Sequence, residues 1–113
     1  MIRTSQGLYY LDLEVGEGDI VQSGDYVTFH FSGWVSDGTL FETTEGGGPE
    51  TDWVGTGEVI PGWDIGVPGM RVGGKRKLVV PYFLGFGSLS DEIIPPYANL
   101  VFDIEVVGLQ RPD

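Results

Sequence analysis

The stretch "VIPGWDIGVPGM", Val59 to Met70, constrains the fold more than any other part of the chain. It sets a tryptophan between two proline–glycine breaks, so whatever element carries Trp63 is short. Pro61 suits the first position of a helix, where its missing N–H is not needed. Ile60, Trp63 and Val67 then fall at i, i+3 and i+7 and form a single apolar stripe. Gly66 and Pro68 end the helix almost at once. So short a helix has no stability of its own and must lie on a sheet, with Trp63 directed at it.

The strands of that sheet are legible on both sides of the helix. In "YVTFHFSGWV", Val27, Phe29 and Phe31 share one face, while Tyr26, Thr28, His30 and Ser32 share the other. "SDGT", Ser36–Thr39, predicts a tight turn into "LFETT". "KRKLVV" and "LYYLDLEV" read as further strands. In "LVFDIEVVG", Leu100, Phe102, Ile104 and Val106 point one way, with Asp103 and Glu105 opposite. The fold class is α+β, a curved antiparallel sheet with one short helix across its concave face.

A chain of 113 residues is long enough for one core, so residues 1–113 are read as a single domain, with 1–7 a flexible N-terminal extension. The absence of cysteine excludes disulfides, thiolate chemistry and cysteine-bound zinc. A formal charge of −11, from 17 acids against 6 bases, repels phosphate backbones and argues against nucleic acid as a partner. The one basic cluster, Lys75-Arg76-Lys77, reads as a solvated strand surface. No apolar run is long enough to span a membrane. "MIRTSQGLYY" has no apolar signal core, so the expected compartment is the cytoplasm, or the periplasm or exterior if the chain is a processed mature domain. The charge also argues against nonspecific association, and a monomer is expected.

Catalytic motifs are missing. His30, the single histidine, sits on the less apolar face of its strand with no motif around it and reads as structural. "GGGPE" lacks the Lys-Ser/Thr of a phosphate loop, and no carboxylates have calcium-loop spacing. No cofactor and no metal are expected. Any chemistry must work without a nucleophile or a bound group.

Three segments carry a resemblance: "GDYVTFHFSGWVSDGTLFETT", "GTGEVIPGWDIGVPGMRVGGKRKLVVP" and "EIIPPYANLVFDIEVV". In order and spacing they resemble the FKBP-type peptidyl-prolyl cis–trans isomerases over roughly Leu8 to Leu109. The resemblance implies a half-barrel of five to six strands wrapped around the helix, with a pocket between them that assists folding by rotating X–Pro bonds. It places Trp63 at the pocket floor. Val59 and Ile60 form one wall, the Ile60 N–H holding a substrate carbonyl. Phe31, Phe41 and Phe102 line the sides, and Ile93 and Ile94 belong to an overhanging loop faced by Phe86. The implied partners are proline-containing peptides or unfolded chains, and macrolide inhibitors. Rotation about X–Pro crosses a barrier of ~18–20 kcal/mol because it breaks amide resonance. The twisted amide has lost its charge separation, so a water-poor aromatic pocket favours it over the planar state.

The chain departs from the family pattern at four places. Phe31 and Phe86 stand where tyrosines are usual, and Glu42 where an aspartate is usual. Glu50 takes the place of an aromatic lip. A lost neutral hydrogen bond of about 0.5–1.5 kcal/mol weakens macrolide binding several-fold, up to roughly tenfold. Glu50, with Glu42, Glu45, Asp52, Asp91 and Glu92 around it, is expected to form a substrate rim with Ile93 that attracts cationic peptides. Two alternatives stand beside the isomerase: a weak or inactive proline-peptide binding module on the same fold, and a carbohydrate-binding β-domain using Trp34, Trp53 and Tyr97.

Overall fold

The computed structural model describes residues 1–111, so residues 112–113 of the expected domain lie outside the described residues. The strands are β1 (Ile2–Arg3), β2 (Tyr9–Glu14), β3 (Tyr26–Val35), β4 (Leu40–Thr43), β5 (Glu50–Trp53), β6 (Lys75–Val80) and β7 (Leu100–Gln110); α1 is Pro61–Gly66. All pairings are antiparallel, in the order β1-β2-β6-β7-β3-β4. The outer edge of β3 is shared: β4 pairs with Ser32–Trp34 and β5 with Tyr26–Phe29. This is the α+β half-barrel expected, with two short strands more than the sequence suggested. β5 was not legible because "ETDW" carries no apolar alternation. Within the expected N-terminal extension, Ile2 and Arg3 of β1 pair with Tyr10 and Tyr9. The turn between is closed by Thr4 N–H donating to Leu8 O at 2.7 Å and Gly7 N–H to Thr4 O at 3.1 Å.

The long strands bury the faces that their alternation predicts. Val27, Phe29, Phe31 and Val35 of β3 and Leu100, Phe102, Ile104 and Val106 of β7 all lie in the core. A register shift at Thr28/Phe29 against β7 adds a residue there, which bends the sheet and sharpens its twist. The helix lies in the resulting concavity. Trp63 and Val67 are buried and Ile60 partly so, as the stripe requires. Among the described residues no helix is long and apolar enough to cross a membrane.

What lets so short a helix press on the sheet is glycine. Gly62 and Gly66 are buried on the side toward β6; a Cβ on Gly62 would stand 2.7 Å from Val80 Cγ1, and one on Gly66 2.7 Å from Leu78 Cδ2. The far end of α1 is held by Arg76. Its Nη1 donates to Gly66 O at 2.9 Å, satisfying a terminal carbonyl, while Nε donates to Asp12 Oδ1 at 2.6 Å. The guanidinium also lies over the Tyr10 ring, 4.4 Å from its centroid. Arg76 is therefore buried, not solvated as the Lys75–Lys77 run suggested, because its position on β6 faces the concavity.

At Gly62 the gain in helix propensity from alanine is under ~1 kcal/mol, whereas Val80 is β-branched, buried and unable to turn away. Gly62→Ala is expected to lower stability by about 1–3 kcal/mol, read as a lower urea midpoint; an unchanged midpoint would show that the helix is not seated so closely.

Candidate active site

The interior of the half-barrel is an aromatic cluster built around Trp63. Its ring centroid lies 4.9 Å from Phe31, 5.0 Å from Phe29 and 5.3 Å from Phe102, with interplanar angles between 78° and 88°. Edge-to-face pairs of this kind contribute ~0.5–1.5 kcal/mol each beyond area burial. Phe41 extends the cluster, edge-on to Phe102 at 5.7 Å and to Phe86 at 6.3 Å. Beside the indole opens a cavity of about 240 Å³, lined by the rings of Phe29, Phe31, Phe41, Phe86 and Phe102, by Val59 and Ile60, and by Glu42, Glu50, Asp52 and Glu58. Trp63 itself is 6% exposed, and its Nε1–H is buried without an acceptor among the described residues. The Ile60 N–H likewise has no acceptor among them. The cavity thus has an apolar bed, and Ile60, whose N–H is unpaired among the described residues, lines it.

Two aspartates hold the walls. Asp64, in the first turn of α1, accepts from Gly55 N–H at 2.7 Å and Gly57 N–H at 3.0 Å, fixing the loop that presents Glu58, Val59 and Ile60. Asp91 accepts through Oδ1 from the N–H groups of Ile93 and Ile94 at 2.8 and 2.7 Å. That turn sends Ile94 inward, 6% exposed, and leaves Ile93 outside at 50%. Neither isoleucine reaches the cavity over Trp63; Ile94 lines a smaller hollow beside it with Phe86 and Leu89. Of the expected site residues, Phe31, Phe41, Glu42, Glu50, Val59, Ile60, Trp63, Phe86 and Phe102 converge on the cavity. Glu45, Asp91 and Glu92 do not line it. Phe29 and Glu58 do, and were not singled out. Phe29 follows from the alternation that marked Phe31; for Glu58, adjacent to Val59, the sequence gives no such signal.

A larger open hollow, about 600 Å³, lies on the opposite face of the sheet. Two pairs of its polar groups bond to each other: His30 Nδ1 is 2.9 Å from Thr44 Oγ1, and Ser32 Oγ is 2.7 Å from Thr43 Oγ1. The His30 bond ties β3 to the residue that follows β4. Nor do the three surface aromatics make one platform. Trp53 packs on Tyr26 at the start of β3, Trp34 lies under Lys77 near its end, and Tyr97 packs on Tyr82. The aromatic cavity is the candidate site.

A family model described as FKBP-type peptidyl-prolyl cis-trans isomerase matches residues 18–107. The chain belongs to that family. It is 41% identical over 103 residues to an FK506-binding protein of Neisseria meningitidis serogroup B, covering 89% of this chain and 94% of that one. It is 40% identical over 109 residues to FK506-binding protein 4 of Chaetomium thermophilum, covering 96% of this chain and 23% of the relative. The chain therefore spans about a quarter of the length of that fungal relative. Among solved structures it is similar to AtFKBP13, with a TM-score of 0.87, 35% identity and coverage of 96% and 97% of the two chains. FkpA from Escherichia coli gives the same TM-score and identity, over 97% of this chain and 51% of that one. The FKBP fold and the peptidyl-prolyl isomerase function of the domain follow from this membership.

The carboxyl of Glu42, where the family usually has an aspartate, is perturbed. Desolvation beside the aromatic rings, and then the Glu50 charge, push Glu42 above the usual carboxylate range. In Glu50→Gln the second cause is removed, so the Glu42 titration followed by NMR should move down in pH while staying above that of an ordinary glutamate. An unmoved titration would show that Glu50 does not face it.

Proposed function

We propose that X–Pro bonds are rotated in the cavity beside Trp63, with the proline ring against the indole and the carbonyl before it accepting from the Ile60 N–H. The observation that carries this reading is an aromatic cavity with a donor left unpaired on its wall. Planar and twisted amides differ in polarity, so apolar walls disfavour the planar state relative to the twisted one. Phe31, Phe41, Phe86 and Phe102 supply those walls, and Val59 with Ile60 sets the position of the ring. No proton moves and no covalent bond forms. That is why Phe31 and Phe86 can stand without the hydroxyls usual in the family, and why catalysis is preferred to the binding-only module: the hydroxyl usual at position 31 pairs with the acid at position 42 and the one usual at position 86 donates to a ligand, and neither is the aromatic surface that the rotation uses.

The same substitutions bear on the other ligands of the family, which binds proline-containing substrates and FK506-like macrolides. Without the Phe86 hydroxyl, macrolides bind this chain several-fold to roughly tenfold more weakly than a tyrosine-bearing member. Its clients are flexible or unfolded chains containing proline, and with a net charge of −11 it acts on them as a monomer and not on nucleic acid.

The test is a protease-free isomerisation assay on a Leu-Pro peptide, by exchange NMR. Wild-type chain is expected to accelerate the exchange, and Trp63→Leu, checked for folding by circular dichroism, to lose about tenfold or more in kcat/KM, corresponding to about 1.4 kcal/mol of transition-state stabilisation. Folded wild-type chain that gives no acceleration would overturn the reading.

A further inference from the structure

The cavity is chemically two-sided. Phe31, Phe86 and Phe102 line it with apolar rings, whereas β4, β5 and the loop before α1 bring Glu42, Glu50, Asp52 and Glu58 to it. We infer that the isomerase cavity selects proline segments carrying a lysine or arginine next to the proline, with those four carboxylates receiving the cation. This inference rests on the isomerase reading above and adds the substrate class to it.

Three observations support it. First, the four acids have no structural employment as counter-ions. The ion pairs among the described residues use Asp12, Asp25 and Asp103, with Arg76, Arg111 and Lys77. Asp64 and Asp91 are occupied with loop N–H groups. Of the rim acids only Asp52 has a bond of its own, accepting from the adjacent Trp53 N–H at 2.9 Å. Secondly, no lysine or arginine lines the cavity, so among the described residues none stands there to neutralise the four charges that converge on it. Thirdly, the four acids line the same cavity as Trp63 and its ring of phenylalanines, so they stand beside the aromatic surface that takes the proline. Desolvation first, and the Glu50 charge second, raise Glu42, and an incoming cation offsets the repulsion between those two carboxylates. A glutamate on the peptide would add to it.

The geometry does not distinguish the two flanks of the proline, so both are read. Blocked peptides of the forms X-Pro-Leu and Leu-Pro-X, with X as Lys, Leu or Glu, are titrated into the full chain, and dissociation constants are measured at low and high salt. Turnover of the X = Leu peptides is followed in parallel. In at least one series the Lys peptide is expected to bind about tenfold tighter than the Glu peptide at low salt, with the ratio shrinking as salt screens the rim. In Glu50→Gln/Glu58→Gln the ratio should fall to within about twofold. Equal constants for Lys and Glu in both series, with the Leu peptides turned over, would overturn the selectivity and leave the isomerase standing. A ratio unchanged in the double variant would overturn the assignment to this rim. Failure of every peptide to bind or turn over would overturn both readings.

Discussion

The structure depends on how Trp63 is held. Phe29, Phe31 and Phe102 meet it edge to face, so the indole is gripped by ring edges from two adjacent strands. This geometry serves stability and function together. The three contacts bury the largest side chain on α1 and tie an element too short to stand alone to the centre of the sheet. The same ring remains one wall of an open cavity, so it belongs to the core and to the cavity lining at once.

Around that grip, polar groups set position and the apolar core supplies adhesion. Arg76 fixes the C-terminal end of α1 to β2, and Asp64 fixes its N-terminal turn to the preceding loop. Gly62 and Gly66 let the helix backbone approach β6, which sets the depth at which the indole sits. At the opposite end of β3, Asp25 is nearly fully buried, and burial alone would raise its carboxyl. The Arg111 guanidinium and the Gln22 N–H more than offset this and hold it below the usual range. Because the folded value is depressed, that pair stabilises the chain above the ordinary carboxylate range and ceases to do so as the pH falls through the lowered value.

Much of this was legible in the sequence wherever burial enforces a period. Alternation located β3 and β7 residue by residue, and the proline and glycine flanks of Trp63 fixed the helix. The pocket aromatics followed from the family resemblance, and the cavity collects them. What escaped was set by contacts distant in sequence or by main-chain bonds. Arg76 looked solvated because nothing local to "KRK" announces Asp12, 64 residues away, or the end of a helix. β1 and β5 pair through backbone groups with no apolar pattern to reveal them. Ile93 and Ile94 are adjacent in the chain, yet one Asp91 carboxylate sends them to opposite sides of a turn. Glu58 became a cavity residue only through the loop that Asp64 folds.

The most direct measurement is the indole N–H region of a heteronuclear NMR spectrum, where each of the 3 tryptophans gives its own resonance. On titration with a Leu-Pro peptide, the Trp63 Nε1–H should shift furthest and show nuclear Overhauser contacts to the proline ring protons. A bound peptide that leaves Trp63 unmoved while shifting Trp34 or Trp53 would contradict the indole as the surface on which the bond turns.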